Sequence, residues 1–236
     1  MICLLGEPED VDLLWLAVSL RERGQVVEVV LPEELMFGSS LSYRIDSTSV
    51  SWELRLRDER VLEPGHLALV VNRMAGLPPT GADLAPADAT FVAEEWRAAL
   101  AAWLRTLTCP VLNPPRAASL AGPLMSTVAW RAIAHANGLA CQPWRSGEQV
   151  SPRDPVTLTC VGQRCIDPGE AASEDVRRAL LATAAYVGAP LLAATFDRVA
   201  ATPVFFEADV FPELMMVGVP LLDALVELAS KGEGTG

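Results

Sequence analysis

The opening of this chain admits few folds. Residues 2–5, Ile-Cys-Leu-Leu, make a short apolar strand, and a helical pattern follows through Val11, Leu14, Trp15, Val18 and Leu20 before Gly24 supplies a C-terminal stop. Val26 to Leu31 is then a second buried strand. Strand, helix and strand at this spacing predict a parallel βαβ unit, and Leu67 to Val71, ending in Asn72-Arg73, predicts a third strand of the same sheet. Between them the pattern changes to alternation: Leu41, Tyr43 and Ile45, then Val50, Trp52, Leu54 and Leu56, with turns at Asp46-Ser47 and Asp58-Glu59. That stretch, Leu41 to Leu62, reads as an antiparallel ribbon.

The remainder is α+β in character. A Pro- and Gly-rich loop from Gly76 to Pro86 precedes a long amphipathic helix, Ala89 to Leu107, whose inner face is Leu100, Trp103 and Leu104. Cys109-Pro110 breaks it before a short strand, Val111-Leu112, and an Asn113-Pro114-Pro115 turn. A helix from about Leu124 to Ala136 stops at Asn137-Gly138, and the stretch from Gln142 to Pro155 is the best linker candidate. Val156–Cys160 and Gln163–Ile166 predict a hairpin about Gly162. A helix opens at Ser173, with Glu174 and Asp175 in its first turn, and runs through Tyr186 to Gly188. Strands at Leu191–Phe196 and Pro203–Ala208 and a helix at Leu221–Ala229 complete the pattern.

Charge and composition exclude several roles. Thirty acidic against 18 basic side chains give a net charge of −12, which argues against a sequence-independent nucleic-acid partner, because such binding depends on clustered cations. The acidity itself reads as a solvated surface. The N-terminus lacks a basic region ahead of an apolar run, and no stretch has the length of a membrane span, so a cytoplasmic location without membrane contact is the expectation. Five scattered cysteines (3, 109, 141, 160 and 165) fit reduced thiols; Cys160 and Cys165 face each other across the predicted hairpin, yet zinc would need two further ligands. His66 and His135 have no ligand spacing. The six tryptophans read as core and interface anchors, with Trp52 and Trp144 the two whose exposure would mark a partner surface.

Several local signatures together resemble the ATP-grasp ligases, particularly the glutathione-synthetase-like branch that includes ribosomal-peptide maturases. They are the alternating ribbon at Leu41–Leu62, the Val71-Asn72-Arg73 strand end, the helix start Phe91-Val92-Ala93-Glu94-Glu95-Trp96, the Asn113-Pro114 turn and, most specifically, Phe205-Phe206-Glu207-Ala208-Asp209-Val210-Phe211-Pro212. Val217-Gly218-Val219-Pro220 resembles the family's terminal helix start. The resemblance implies an α/β fold with an N-terminal pre-ATP-grasp domain over residues 1–112 and an ATP-grasp-like α+β domain over 113–236. It also implies a Mg²⁺ site at Asp197, Glu207 and Asp209, where Asp209 replaces the family's Asn. Alternation agrees that Glu207 and Asp209 share one strand face. The competing reading is an inherited acidic strand without bound metal. Arg73 is either a substrate contact, for an anion or peptide carboxylate, or an ordinary salt bridge.

Two departures weigh against catalysis. The chain has 17 arginines and one lysine, Lys231, a bias that a genome rich in G and C explains; still, no lysine stands where the family binds phosphate, and Ala121-Gly122-Pro123-Leu124-Met125-Ser126-Thr127 supplies none. The family's central lid should lie between Trp144 and Val156, where only eleven residues occur, Arg145 and Arg153 among them. Losing two charged hydrogen bonds costs roughly 3–6 kcal/mol, about 10² to 10⁴-fold in nucleotide affinity. The expectation is therefore a truncated, non-catalytic protein with no bound cofactor, a pseudoenzyme acting as a binding or accessory subunit for a protein or peptide partner. The alternative is an active carboxylate–amine ligase that uses Mg-ATP and replaces the lysines with arginines. A purely structural subunit is a third reading, and both a homodimer and a hetero-oligomer stay open.

Overall fold

The computed structural model describes residues 1–47, 50–78, 85–116, 119–141, 151–198 and 203–232. The chain divides into two compact units, Met1–Ala121 with Leu225–Gly236, and Gly122–Ala224.

The first unit starts with the predicted βαβ: β1 (Ile2–Leu5), α1 (Val11–Glu22) and β2 (Val27–Val30). α2 (Pro32–Gly38) follows, then the ribbon of β3 (Ser40–Ile45), β4 (Val50–Arg55) and β5 (Val61–Leu62). β6 (Leu69–Asn72), α3 (Pro86–Thr106) and β7 (Val111–Leu112) come next. β2, β1, β6 and β7 form one parallel sheet in that order, with Ile2 opposite both Val27 and Leu69. Every residue of β1 and β6 is buried, as expected for central parallel strands. The ribbon is antiparallel, with Tyr43 opposite Trp52. α3 buries Leu100, Trp103 and Leu104, as its periodicity predicted.

Three features of this unit differ from the sequence reading. α2 has no counterpart there, although Pro32 at its first turn and Glu33 and Glu34 beside it are start signals; the Glu34 carboxylate accepts the Leu31 N–H at 2.9 Å. Trp52 does not mark an open surface: the residue is 4 % exposed, and its ring meets Trp103 edge-on at 5.5 Å between centroids. Trp144 lies outside the described residues. α1 is apolar on nearly every side, and it buries Leu13, Leu16, Ala17 and Leu20 while Val11, Leu14 and Val18 stay exposed. Arg60 ties the ribbon to the sheet, pairing with Glu28 of β2, Glu34 of α2 (2.6 Å) and Asp58 of the ribbon turn (2.5 Å).

The end of β6 is pinned by its side chains. Asn72 is fully buried; its Nδ2 donates to the carbonyls of Asn113 (2.9 Å) and Leu120 (2.7 Å), and its Oδ1 accepts the Met74 N–H (3.2 Å). Asn113 takes the left-handed conformation, φ 56°, which asparagine tolerates better than other side-chain-bearing residues, so the predicted Asn-Pro turn is built around that acceptor.

The second unit contains α4 (Thr127–Ala136), β8 (Pro155–Val161), β9 (Arg164–Ile166), α5 (Glu174–Val187), β10 (Leu191–Asp197), β11 (Val204–Asp209) and the short α6 (Leu214–Val217). α7 (Val219–Gly232) carries the boundary between the units. The sheet is antiparallel, ordered β11, β10, β8, β9. α4 and α5 cover one face: Trp130 and Ala134 of α4 and Val176, Leu180 and Ala184 of α5 share a core with Leu158, Cys160, Leu192, Ala194, Phe196 and Phe205. The caps follow the sequence, with the Ser126 hydroxyl accepting the Ala129 N–H, the Ser173 hydroxyl accepting the Val176 N–H, and Gly188 in the left-handed region. No helix among the described residues is long and apolar enough to cross a membrane.

Removing the Asn72 side chain leaves two buried carbonyls and one N–H without it. Asn72→Ala is expected to lose about 3 kcal/mol of stability, read as a lower urea midpoint with an unchanged slope.

Candidate functional site

The face of the second unit's sheet opposite α4 and α5 lines a cavity of about 600 Å³. Strand register builds its floor from two rungs. Thr157 of β8, Thr195 of β10 and Glu207 of β11 stand side by side; Thr159, Ala193 and Asp209 form the next rung. The rungs alternating with these, Leu158-Ala194-Ala208 and Val156-Phe196-Phe205, turn toward the helices.

A simple alternation would not produce this arrangement. Phe205 and Glu207 are two residues apart and would share a face in a regular strand. The register shifts instead: Phe196 opposes Phe205 while Thr195 opposes Glu207, so Phe206 is the extra residue of a β-bulge. Phe205 therefore enters the core, edge-on to Phe196 at 5.7 Å, while Glu207 and Asp209 are delivered to the cavity. Arg131 of α4 holds the bulge at both its backbone and its ring. Its Nε donates to the Phe206 carbonyl at 2.8 Å, and its guanidinium lies 4.9 Å from the Phe206 ring centroid.

Three carboxylates line the cavity, Glu207, Asp209 and Glu213, and among the described residues no Lys, Arg or His side chain lines it. Asp209 Oδ1 accepts the Phe211 N–H at 2.9 Å, which starts the turn that brings Pro212, Glu213 and Met216 to the rim. Glu213 and the threonines carry no signal in the sequence: Glu213 stands at the N-cap of α6 without a capping hydrogen bond, and the threonines alternate on ordinary strands.

The other predicted site residues are placed elsewhere. Asp197 ends β10 and does not line the cavity; its Oδ1 accepts the Asp154 N–H at 3.2 Å, beside an ion pair of Asp154 with Arg198 at 3.0 Å. Among the described residues no group of three or more His, Cys, Asp or Glu side chains is close enough together to hold a metal ion. Glu207 and Asp209 supply two oxygen-donor side chains to one face, and Mg²⁺ needs about six oxygen donors, so the remainder would have to come from phosphate or water. Arg73 belongs to the first unit and is 5 % exposed at its side chain. Its Nε donates to Asp10 Oδ2 at 2.7 Å and its Nη2 to Asp10 Oδ1 at 3.3 Å, with Asp12 at 3.8 Å, so this guanidinium anchors the N-cap of α1. Lys231 pairs with Glu227 one turn earlier on α7, at 2.7 Å. The interval assigned to a shortened lid falls largely on residues 142–150, outside the described residues, and Arg145 with it.

One buried carboxylate shapes the cavity wall from behind. Asp167, whose side chain is 1 % exposed, accepts the N–H groups of Ala171 (3.1 Å) and Ala172 (2.9 Å) and pairs with Arg177 (3.1 Å), fixing the loop in which Pro168 borders the cavity. Burial pushes this carboxyl up, but the two backbone hydrogen bonds and Arg177 outweigh burial and hold it below its ordinary 3.8.

No protein-family model matches the chain, and no curated protein does. Solved structures match over nearly the whole chain. The macrocyclase MdnC of Microcystis aeruginosa MRC, bound with precursor peptide MdnA, is similar at a TM-score of 0.70 and 11 % identity, covering 98 % of this chain and 100 % of that one. The ATP-grasp ligase PsnB, complexed with a phosphomimetic variant of a minimal precursor, Mg and ADP, gives 0.68 at 16 % identity over 96 % and 98 %. A Chryseobacterium gregarium RiPP-associated ATP-grasp ligase, in complex with ADP and a leader and core peptide, gives 0.65 at 12 % identity over 96 % of each. The chain has the ATP-grasp ligase fold.

Arg131→Met removes the hydrogen bond and the ring contact that hold the bulge. It is expected to cost about 2–4 kcal/mol and to speed hydrogen exchange of the β11 amides relative to β8. For Asp167 the lowered carboxyl gives stability that is present above the unfolded-state value and lost as pH falls through the folded-state value. Asp167→Asn should therefore reduce stability at neutral pH and flatten its decline toward pH 3, as followed by urea unfolding across a pH series.

Proposed function

We propose that this chain is a non-catalytic ATP-grasp-like protein that acts as a binding or accessory subunit in peptide modification. The observation carrying this reading is the sign of the cavity. A nucleotide brings several negative charges, and the described wall presents Glu207, Asp209 and Glu213 with no cation to offset them. Of the second unit's described arginines, Arg131 contacts Phe206, Arg177 pairs with Asp167, Arg178 with Asp175 and Arg198 with Asp154, while Arg153 and Arg164 do not line the cavity. The one lysine is engaged on α7. Removing one phosphate contact costs roughly 1.5–3 kcal/mol, and facing phosphate with unneutralised carboxylates adds repulsion. The peptide side of the proposal rests on the fold neighbours bound to precursor peptides.

A second reading has one observation in its favour. Glu207 and Asp209 share the cavity face on adjacent rungs, and with nucleotide phosphates they would hold Mg²⁺, Asp197 standing two residues beyond Thr195 on β10. A metal bound there would neutralise phosphate charge in an active carboxylate–amine ligase.

Calorimetric titration of the intact protein with Mg-ATP separates the two. The expected result is no saturable heat at millimolar nucleotide, for the wild type and for Glu207→Ala alike. Tight saturable binding that Glu207→Ala abolishes would establish the ligase reading instead.

A further inference from the structure

The β8–β9 hairpin carries a pair of thiols that no part of the cavity uses. Gly162 and Gln163 form its two-residue turn, with Gly162 at φ 60°, the first-position glycine of a hairpin turn. Val161 opposes Arg164 next to the turn, and Cys160 opposes Cys165 one step further in. In such a hairpin the pair beside the turn exchanges the backbone hydrogen bonds, so the cysteines occupy the following non-hydrogen-bonded pair. There opposed Cα atoms are typically about 4.5 Å apart, within the roughly 4.4–6.8 Å spanned by disulfides.

Both thiols are free, and the register sets the two residues directly opposite each other on one face of the hairpin. Their surroundings differ. Cys160 is fully buried among Leu158, Leu180 and Leu192, and its hydrogen bond to Cys165, with burial, pushes its thiol up. Cys165 is only half-buried. Its hydrogen bond with Cys160 lowers it, against burial and the Asp167 and Glu174 charges, with help from Arg177. The thiols of Cys3, Cys109 and Cys141 are all pushed up by burial, Cys3 to about 12 and Cys109 to about 11. Attack by a thiol requires the thiolate and access, and Cys165 combines them best.

We propose that Cys160 and Cys165 form a thiol–disulfide couple, oxidised by exchange with a small disulfide such as glutathione disulfide. The Cys165 thiolate attacks one sulfur of glutathione disulfide, forming a mixed disulfide and expelling one glutathione thiolate. Cys160 then loses its proton to that thiolate and attacks the Cys165 sulfur, closing the cross-strand bond and expelling the second glutathione, which takes a proton from solvent. Two protein thiols are oxidised, and one glutathione disulfide is reduced to two glutathiones. The hairpin so closed continues the strand that presents Thr157 and Thr159 to the cavity.

The test treats the full reduced chain with glutathione disulfide and follows intact mass and thiol titre after denaturation. The wild type is expected to lose the mass of two hydrogens and two of its five titratable thiols, with a peptide map joining residues 160 and 165 and full reversal by dithiothreitol. Cys160→Ala should stop at a single glutathione adduct on Cys165, and Cys165→Ser should give neither bond nor adduct on the hairpin, with circular dichroism confirming that both fold. An unchanged wild-type mass, a persistent wild-type glutathione adduct, or a disulfide mapped to other cysteines would each overturn the proposal.

Discussion

The grip of Arg131 on the Phe206 bulge is the interaction on which the candidate site depends. A strand with side-chain period two cannot send Phe205 into the core and Glu207 into a cavity without an extra residue between them. The bulge provides that residue, and a bulge leaves backbone groups in need of partners. The guanidinium of α4 answers that need at the Phe206 carbonyl and covers the ring as well. Helix, bulge and acidic face are thus one mechanical unit: the element that covers the core side of the sheet also sets what the opposite side displays.

Charge decides the reading of that face. The ATP-grasp fold is shared with ligases solved in complex with nucleotide and precursor peptide, but a fold supplies a scaffold and leaves chemistry to side chains. Here the scaffold carries hydroxyls and carboxylates on adjacent rungs, while nearby arginines hold loops and the bulge. Arg177 is the clearest example: its ion pair with Asp167 shapes the loop behind the cavity wall and its field acts on Cys165. In the first unit Arg73 shows the same pattern, a cation spent on the N-cap of α1.

Much of the fold was legible because it rests on local signals. The βαβ opening, the ribbon with its turns, the inner face of α3 and the hairpin about Gly162 all follow from periodicity, and the Ser173 and Gly188 ends of α5 from capping chemistry. α2 has a Pro-Glu-Glu start, but its seven residues give too little periodicity to register as a helix. The pattern of α1 specifies a helix but not its orientation, since apolar residues surround it and only the sheet beneath determines which are buried. Trp52 was expected to be informative if exposed, yet a ribbon side chain is exposed or buried according to what crosses it, and Trp103 of α3 crosses it here.

The sequence alone determined which residues are available: one lysine, a strongly acidic balance, two carboxylates spaced to share a strand face, and two cysteines spaced to meet across a turn. Those are properties of composition and of short-range geometry, which a chain carries wherever it goes. Tertiary structure decided which face the carboxylates occupy, that Asp197 accepts the Asp154 N–H and does not line their cavity, that Arg73 is buried against Asp10, and that Arg131 reaches Phe206 across 75 positions of chain. Each of these depends on register and on contacts between residues distant in sequence, and such contacts exist only once the sheet and its covering helices have packed.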